Sequence, residues 1–342
     1  MPFFPVGKLP AELLQRLFGK YVQADPRVVV GPQVGEDAAV LDMGDRYLVA
    51  TTDPITFATD EMGWYALHVN ANDLAVRGAA PRWFMATVLL PEGRSQESQV
   101  EQLFADVAEA CAAVGVSLVG GHTEVTAGLP RPIVVGAMLG EVDKDRLVTT
   151  GGARIGDAVL LTKGVPLEGA AIIARERHDE ALRRGVPAEI VDRARGFLRR
   201  PGISVVPESR AACGAARVHA MHDPTEGGFA TACWELAQAA GVGLRIDRER
   251  VPILPEGRRL CEAFGLDPFG TIASGSLLMT VAPDDADAAA GACRAAGVEC
   301  AAIGRVTAAS EGVALVSGGH ARPMPSFPQD EVTRLFGAGS SS

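Results

Sequence analysis

Apolar positions in the first half of the chain alternate between the spacing of helices and the spacing of strands. Helical periodicity is found at residues 8–24, 61–77 and 95–114. Runs rich in β-branched and aromatic residues predict strands at 46–52, 83–90, 116–119 and 132–142. This alternation of element types indicates an α/β layer architecture in the first half.

The predicted helix 61–77 has a polar stripe beside its apolar one. Asp60 is placed to cap its N-terminus. Asn70, Asp73 and Arg77 stand at positions i, i+3 and i+7, so their side chains project together from the helix. A solvated surface and a binding site both fit this stripe, and the helix alone does not decide between them.

The second half has an α+β pattern. The turn-rich segment Thr149–Asp157 predicts a domain boundary, which gives domains at 1–150 and 151–336 and a disordered tail at 337–342. Strands are predicted at 158–163, 218–221, 243–246, 275–281, 301–306 and 313–316. Helices are predicted at 228–240, 255–264 and 284–296.

Length and composition fit a two-domain protein and argue against a nucleic-acid-binding surface. The chain has 342 residues, 47% of them hydrophobic, which allows a large core. The net charge is −10, and no Lys/Arg block is present to neutralise a phosphate backbone. No apolar run approaches the length of a membrane span, and the first residues do not resemble a signal peptide. We therefore expect a cytoplasmic protein with neither a nucleic acid nor a membrane as partner.

The six cysteines show no CxxC pair, so neither a zinc site nor a disulfide framework is indicated. Most are expected to be small buried hydrophobic side chains. Cys300, seven residues after Cys293, is a weak candidate for a redox or nucleophilic role.

Acidic residues recur near the ends of regular elements in the first half. Asp37 lies in a glycine-rich turn, Asp53 follows a predicted strand, and Asp73 lies on the polar helix stripe. Glu124 and His122 follow two glycines after another strand. Carboxylates gathered from several elements can hold two or more divalent ions, and such ions neutralise a triphosphate.

A second motif, HDPTEGG, stands where a helix is predicted to begin. Asp223, Thr225 and Glu226 precede Gly227 and Gly228, whose backbone amides could bind an anion at the helix N-terminus. Asp223 or Thr225 could equally cap the helix, and both interpretations can hold together.

The order of these motifs resembles that of one known superfamily. The series GEDAAV, TTD, NANDLAVRGAAP, GGHTEVT, HDPTEGG and IASGSLL resembles the aminoimidazole ribonucleotide synthase (PurM-like) superfamily. The resemblance implies an N-terminal α/β domain that dimerises and binds ATP with Mg²⁺. It also implies a C-terminal α+β domain related to a ferredoxin-like fold. Within the superfamily the chain looks most like the hydrogenase-maturation carbamoyl dehydratase and the AIR-synthase-related proteins.

The resemblance also implies roles for individual residues. The matching metal ligands are Asp37, Asp53 and Asp73. The matching nucleotide-side residues are Gly120, Gly121, Thr123, Asp223 and Glu226. To these the local patterns add Asn70, Thr225 and Gly227 as neighbours of the nucleotide. The candidates for a general acid or base are Glu124, His122 and Glu226.

Three functions remain open at this point. The leading hypothesis is an enzyme that uses Mg·ATP to phosphorylate or dehydrate a carbonyl or amide group of a small or protein-bound acceptor. Because no cysteine follows Cys300, the dehydratase's reaction on its own C-terminal cysteine is not expected. The alternatives are a nucleotide-binding maturation factor that acts through a partner protein and a kinase of the thiamine-monophosphate type. Many relatives have an acid where this chain has His122.

Overall fold

The structure is a computed structural model that describes residue 4 and residues 9–33, 35–56, 58 and 60–336. The chain divides into two compact units. The first unit consists of Asp25–Gly31 and Asp37–Leu147. The second consists of the described residues from Val148 to Phe336, of those before Asp25 and of those in Pro32–Glu36. The predicted tail 337–342 lies outside the described residues.

The regular elements are numbered here in chain order. The helices are α1 (Ala11–Tyr21), α2 (Met62–Ala75), α3 (Glu97–Val114), α4 (Leu167–Glu176), α5 (His178–Arg183), α6 (Ala188–Arg195), α7 (Val206–Ala215), α8 (Gly228–Ala240), α9 (Pro255–Phe264) and α10 (Ala286–Ala295). The strands are β1 (Val28–Val30), β2 (Ala39–Asp42), β3 (Tyr47–Ile55), β4 (Ala80–Pro91), β5 (Ser117–Thr126), β6 (Ile133–Val142), β7 (Ala158–Thr162), β8 (Val218–His222), β9 (Gly243–Asp247), β10 (Leu278–Val281), β11 (Cys300–Thr307), β12 (Val313–Ser317) and β13 (His320–Pro323).

The boundary predicted near residue 150 does not divide the chain into two continuous pieces. The described residues before Asp25 belong to the second unit, although the prediction placed them in the first domain. Pro32–Glu36 also belongs there, because Gly35 lies against the backbone oxygen of Glu235 and the side chain of Ala239 on α8. Such contacts join residues about 200 positions apart in the chain, and no local pattern reports them.

The first unit is built on a six-stranded sheet in the order β1-β2-β3-β6-β4-β5. All neighbours are antiparallel except β4 and β5, which are joined through α3, as a parallel pair requires a crossover. Helix α2 packs on β3, β4 and β6 and against α3. The sheet is thus mixed and mostly antiparallel, and it presents β5 as one of its edges.

Three local predictions in this unit were wrong. Helix α2 begins after Glu61, which has φ +49°, and no side chain caps it, so Asp60 is not the cap. Strand β3 does not end before Asp53 but continues to Ile55, because Asp53 and Pro54 pair with β6. The GGHTEVT segment is part of β5 and not a loop.

The second unit is built on a seven-stranded sheet in the order β13-β12-β9-β11-β7-β10-β8. Only β12 and β9 are parallel neighbours. Helix α8 packs its apolar face, including Phe229, Cys233 and Leu236, into the core of this unit. The predicted combination of α/β and α+β domains is confirmed, and the elements added by the structure include strands β1, β2 and β13 and helix α7.

Five of the six cysteines are buried and Cys213 is half-buried, which agrees with the expectation that most of them are buried side chains. All six cysteines have free thiols. A hydrogen bond with the Cys293 thiol, together with burial, raises the pKa of Cys300 above its ordinary value, which argues against a nucleophilic thiolate there. Over the described part of the chain, we find no helix with the length and hydropathy that crossing a membrane requires.

Candidate functional site

The polar stripe of α2 is buried. Asn70, Asp73 and Arg77 have relative exposures of 0%, 3% and 0%. They lie on the side of the helix that packs on the sheet, together with apolar residues such as Leu67 and Leu74. A solvated surface is therefore excluded. Buried polar side chains of this kind are retained when they have hydrogen-bond partners, and each of the three does.

Arg77 holds Asp37. Its Nη2 lies 3.3 Å from Asp37 Oδ2, and the two residues come from the end of α2 and from the segment before β2. The Arg77 side chain is fully buried, whereas the Asp37 side chain is 22% exposed. The ion pair therefore holds Asp37 on its buried side and leaves part of the Asp37 side chain exposed.

Thr51 on β3 connects Asp73 with the backbone at Asp37. Its Oγ1 lies 2.7 Å from Asp73 Oδ2 and 2.9 Å from the carbonyl oxygen of Asp37. One hydroxyl group therefore fixes the position of two predicted metal-binding residues relative to each other. Sequence reasoning did not single out Thr51, although its place two residues before Asp53 on the same strand was a usable signal.

Asn70 fixes the backbone at Asp53. Its Oδ1 accepts a hydrogen bond of 3.0 Å from the Asp53 amide, and its Nδ2 donates one of 2.7 Å to the Ala66 carbonyl oxygen. Gly136 on β6 leaves the room that this side chain needs, because a Cβ there would collide with Asn70 Nδ2. Asn70 thus acts as a positioning residue for the half-buried Asp53.

The carboxylates of Asp37, Asp53 and Asp73 have the chemistry that Mg²⁺ requires, since it is held by oxygen ligands. That these three side chains hold Mg²⁺, and that two or more ions are held, stay predictions.

The predicted nucleotide-side glycines, Gly120 and Gly121, lie within strand β5 and not in the expected loop. Gly121, with φ +147°, lies so close to β4 that a Cβ would collide with the Ala86 carbonyl oxygen. The register with β4 shifts between Leu118 and Gly120, which is a β-bulge. The glycine is needed for the strand contact, whatever else the segment binds.

A cavity of about 330 Å³ lies between α3 and the β4–β5 edge. It is lined by Ala86, Val88, Leu103, Phe104, Val107, Leu118, Gly120, Gly121, His122 and Thr123. Four predicted site residues therefore share one cavity, and its remaining walls are apolar. His122 Nε2 lies 3.1 Å from Glu124 Oε2, and both side chains are largely exposed.

In the second unit, the HDPTEGG motif begins α8 in an unexpected way. The residue before the helix is Gly227, with φ +82°, and neither Asp223 nor Thr225 caps it. Instead the Gly227 amide donates a hydrogen bond of 2.7 Å to Asp330 Oδ2, more than 100 residues later in the chain. This amide therefore already donates to a carboxylate, and its interpretation as an anion-binding group stays a prediction.

Around this helix start lies a residue that sequence reasoning missed. Glu168, in the first turn of α4, is only 6% exposed. Burial raises its pKa to about 8, a hydrogen bond with Ser274 opposes the shift, and the negative charges of Glu226, Asp330 and Asp223 add to it. The only available signal was an acid in the otherwise apolar stretch VPLEGAAII.

Asp330 shares this environment. Burial raises its pKa to about 6, and hydrogen bonds from the amides of Val332, Gly227 and Ile272 limit the shift. Asp223 is fully buried, while Thr225 and Glu226 are half-buried. The predicted residues of this motif are therefore part of a larger group of carboxyl groups in the second unit.

The chain is similar to known proteins over most of its length. Residues 35–142 match the N-terminal domain of AIR synthase related proteins, and residues 154–317 match their C-terminal domain. The carbamoyl dehydratase HypE of Rhodobacter capsulatus is 32% identical over 315 residues, which cover 90% of this chain and 88% of that protein.

Solved structures show the same fold. A HypE–HypF complex matches with a TM-score of 0.75 and 22% identity, over 92% of this chain and 99% of the other. HypE in complex with ATP matches with a TM-score of 0.71 and 23% identity, over 92% and 91% of the two chains.

Proposed function

Because the chain belongs to the AIR synthase related family, we propose that it uses Mg·ATP to phosphorylate or dehydrate a carbonyl or amide-type acceptor. That it is an ATP-dependent enzyme follows from the family. The acceptor chemistry, the metal and the residue roles below are the proposal. The observation that carries it is the buried stripe of α2, which positions Asp37, Asp53 and Asp73 through Arg77, Asn70 and Thr51.

In the proposed reaction an acceptor oxygen forms a bond to the γ-phosphorus of ATP while the bond to the bridging oxygen breaks, and ADP leaves. In the dehydration of an amide, the nitrogen loses its protons, the carbon–nitrogen triple bond forms as the carbon–oxygen bond breaks, and the phosphorylated oxygen departs in inorganic phosphate. Such transfers need mainly positioning and charge neutralisation. Mg²⁺, when bound, supplies positive charge against the phosphates, and Asp37, Asp53 and Asp73 would hold it.

The protein's own part is to keep these acids in place. Arg77 holds Asp37, Thr51 orients Asp73, and Asn70 fixes the backbone of Asp53. Nucleotide contacts by Asn70, Gly120, Gly121, Thr123, Asp223, Thr225 and Gly227 stay predictions. Proton transfer by Glu124, His122 or Glu226 stays a prediction as well.

The experiment is ATP turnover and Mg·ATP binding by wild type, Asp73→Asn and the control Asp45→Asn. Asp45 lies in the same unit with a largely exposed side chain. We expect Asp73→Asn to lose about 100-fold in turnover, since metal-dependent charge stabilisation contributes several kcal/mol. Asp45→Asn should match wild type. Equal turnover in all three proteins, with unchanged Mg²⁺ dependence, would overturn the proposal.

A second candidate is a maturation factor that binds nucleotide and acts through a partner protein. The similarity to a carbamoyl dehydratase and to HypE in its complex with HypF favours it. Tight Mg·ATP binding with turnover only in the presence of a partner would support this alternative. Turnover by the purified chain with a small acceptor would contradict it.

We also propose that the first unit pairs with a second copy of the chain along β5. This edge strand is exposed along nearly its whole length and displays Leu118, Val119 and Val125. An uncovered, apolar edge strand is a template for pairing, and isologous dimers are the commonest soluble assemblies.

A further inference from the structure

The last residue of β8 is a histidine that the proposed function does not use. His222 is only 1% exposed, and its Nε2 lies 2.8 Å from Glu235 Oε2 on α8. Strand β8 pairs with β10 at this position, where His222 is opposite Leu278. Strand pairing and the contact with α8 therefore hold the imidazole ring in a defined orientation.

Asp223 follows His222 directly and brings a carboxylate to the same place. A ring nitrogen of His222 and a carboxylate oxygen of Asp223 lie within 4.8 Å of each other, and Asp223 is fully buried. Histidine nitrogens and carboxylate oxygens each bind a divalent ion at about 2 Å. Both residues belong to the second unit, so this unit alone supplies one nitrogen and one oxygen ligand.

Glu235 determines which ring nitrogen of His222 carries the proton. Because its carboxylate accepts from Nε2, the lone pair of the neutral ring lies on Nδ1. A neutral imidazole is the form that binds a metal ion. Histidine ligands of metals almost always donate their other N–H to a carboxylate, a carbonyl oxygen or water, which fixes the ring and raises its basicity. Glu235 has the position of such an orienting group.

The nitrogen ligand decides the kind of ion. Mg²⁺ is held by oxygen ligands, such as those that Asp37, Asp53 and Asp73 would provide. Imidazole nitrogen suits the later divalent ions of the first transition row, from iron to zinc, whose affinity for nitrogen-containing sites exceeds that of manganese. An imidazole beside Asp223 therefore favours an ion of that series over Mg²⁺.

We propose that His222 determines the metal preference of the HDPTEGG segment. With Asp223 it binds a divalent transition ion of the iron-to-zinc series through Nδ1, in preference to Mg²⁺, and Glu235 is the positioning residue for its ring. The use of this ion against a phosphate of ATP rests on the proposed function. Binding of the ion by His222 does not, because it requires no turnover.

The test uses Co²⁺, a member of this series, as a spectroscopic probe on the full-length protein with and without ADP. A histidine that binds Co²⁺ through Nδ1 and keeps a proton on Nε2 gives one strongly shifted ¹H NMR resonance, which disappears in D₂O. Visible absorption of Co²⁺ reports its binding, and thiolate ligands add an intense band in the near ultraviolet. The Mg²⁺ concentration that displaces half of the Co²⁺ measures the preference between the two ions.

Three variants separate a metal ligand from a structural histidine. His222→Asn replaces the ring nitrogen by an amide oxygen, and Glu235→Gln removes the charge that orients the ring. His219→Asn is the matched control, because His219 lies on the same strand and is also buried beside a carboxylate. Its Nδ1 lies 2.9 Å from Asp157 Oδ2. Thermal unfolding checks that each variant folds.

Wild type and His219→Asn should show the shifted resonance and prefer Co²⁺ to Mg²⁺. His222→Asn should lose the resonance, and its Co²⁺ affinity should fall at least about tenfold while its Mg²⁺ affinity stays within about twofold, because oxygen replaces nitrogen. Glu235→Gln should weaken Co²⁺ binding about 10- to 100-fold, as the loss of an orienting partner does at other metal sites.

Four results would each overturn the proposal: no shifted resonance in wild type with or without ADP, a thiolate band on Co²⁺ binding, equal losses of Co²⁺ and Mg²⁺ affinity in His222→Asn, or loss of the resonance in His219→Asn. If His222→Asn does not fold, unchanged Co²⁺ binding by Glu235→Gln would overturn it as well. A shifted resonance together with equal turnover by wild type and Asp73→Asn would reject only the proposed reaction. The opposite pair of results would reject only the metal preference of His222.

Discussion

The guanidinium group of Arg77 is fully buried, yet its Nη2 lies 3.3 Å from an Asp37 oxygen that is part of a partly exposed side chain. A buried cation that reaches a carboxylate at the surface of its unit acts as a fixed support for it. Removing one partner of such a pair is more harmful than the pair itself is stabilising.

Replacing Arg77 by Gln should therefore destabilise the protein by about 3 kcal/mol, the lower end for a broken buried pair because Asp37 is partly exposed. Mg·ATP affinity should fall as well, since Asp37 loses its support. Urea unfolding and calorimetry measure the two effects. The control is Arg46→Gln, which removes an exposed pair with Glu141 and should cost no more than about 1 kcal/mol. Similar small effects of both variants would show that Arg77 does not hold Asp37.

Gly136→Ala should act through Asn70. The added Cβ would collide with the Asn70 side chain and with Phe84, so we expect a loss of about 1 to 3 kcal/mol from overpacking. The displaced Asn70 would no longer accept from the Asp53 amide, and Mg·ATP binding should weaken in parallel. Gly291→Ala is the matched control, because it lies in α10 with nothing within 4 Å of the new Cβ. That control should be neutral or slightly stabilising. A stable Gly136→Ala protein with normal Mg·ATP binding would contradict the role of Asn70.

Glu168→Gln should change the pH dependence of stability. The folded protein keeps the Glu168 proton up to about pH 8, whereas the unfolded chain releases it near 4.5. The stability from this group is therefore fully present below pH 4.5 and is lost as the pH rises toward 8. The variant lacks this loss. The difference between its free energy of unfolding and that of wild type should therefore grow from pH 4.5 to pH 8, up to a few kcal/mol. Chemical denaturation at several pH values measures it, and parallel curves for wild type and variant would rule it out. Asp287→Asn, in which an exposed acid is replaced, should follow wild type.

Val119→Lys should prevent pairing along β5. The Val119 side chain is 54% exposed on this edge strand, and a charge there opposes association with a second edge. Light scattering after size-exclusion chromatography should show a dimer for wild type and a monomer for the variant. Val29→Lys tests the opposite edge of the same sheet, where Val29 on β1 is 45% exposed, and should stay dimeric. A dimeric Val119→Lys protein or a monomeric wild type would reject the β5 interface.

Local patterns were sufficient for most of the elements and for the family. Alternation and helical spacing placed α3, α9 and β6 within one or two residues of their observed bounds, because each buries one face or stripe and its period records that burial. The ordered motifs indicated the two domain types that the family comparison confirmed. Asp37, Asp53 and Asp73 were singled out together by their recurrence along the chain and by the family resemblance, and their role in holding metal stays a prediction.

Only the tertiary structure decided what the polar residues face. Spacing at i, i+3 and i+7 is the same for a wet stripe and a buried one, so the burial of Asn70, Asp73 and Arg77 depended on the sheet that α2 covers. The glycines of GGHTEVT permit a loop and a bulged strand alike, and contact with β4 selected the strand. The partner of Gly227 is Asp330, and the hydrogen-bond partner of Glu168 is Ser274, each more than 100 residues away. The sequence determined which chemical groups are available, whereas long-range packing determined which of them are desolvated and which meet.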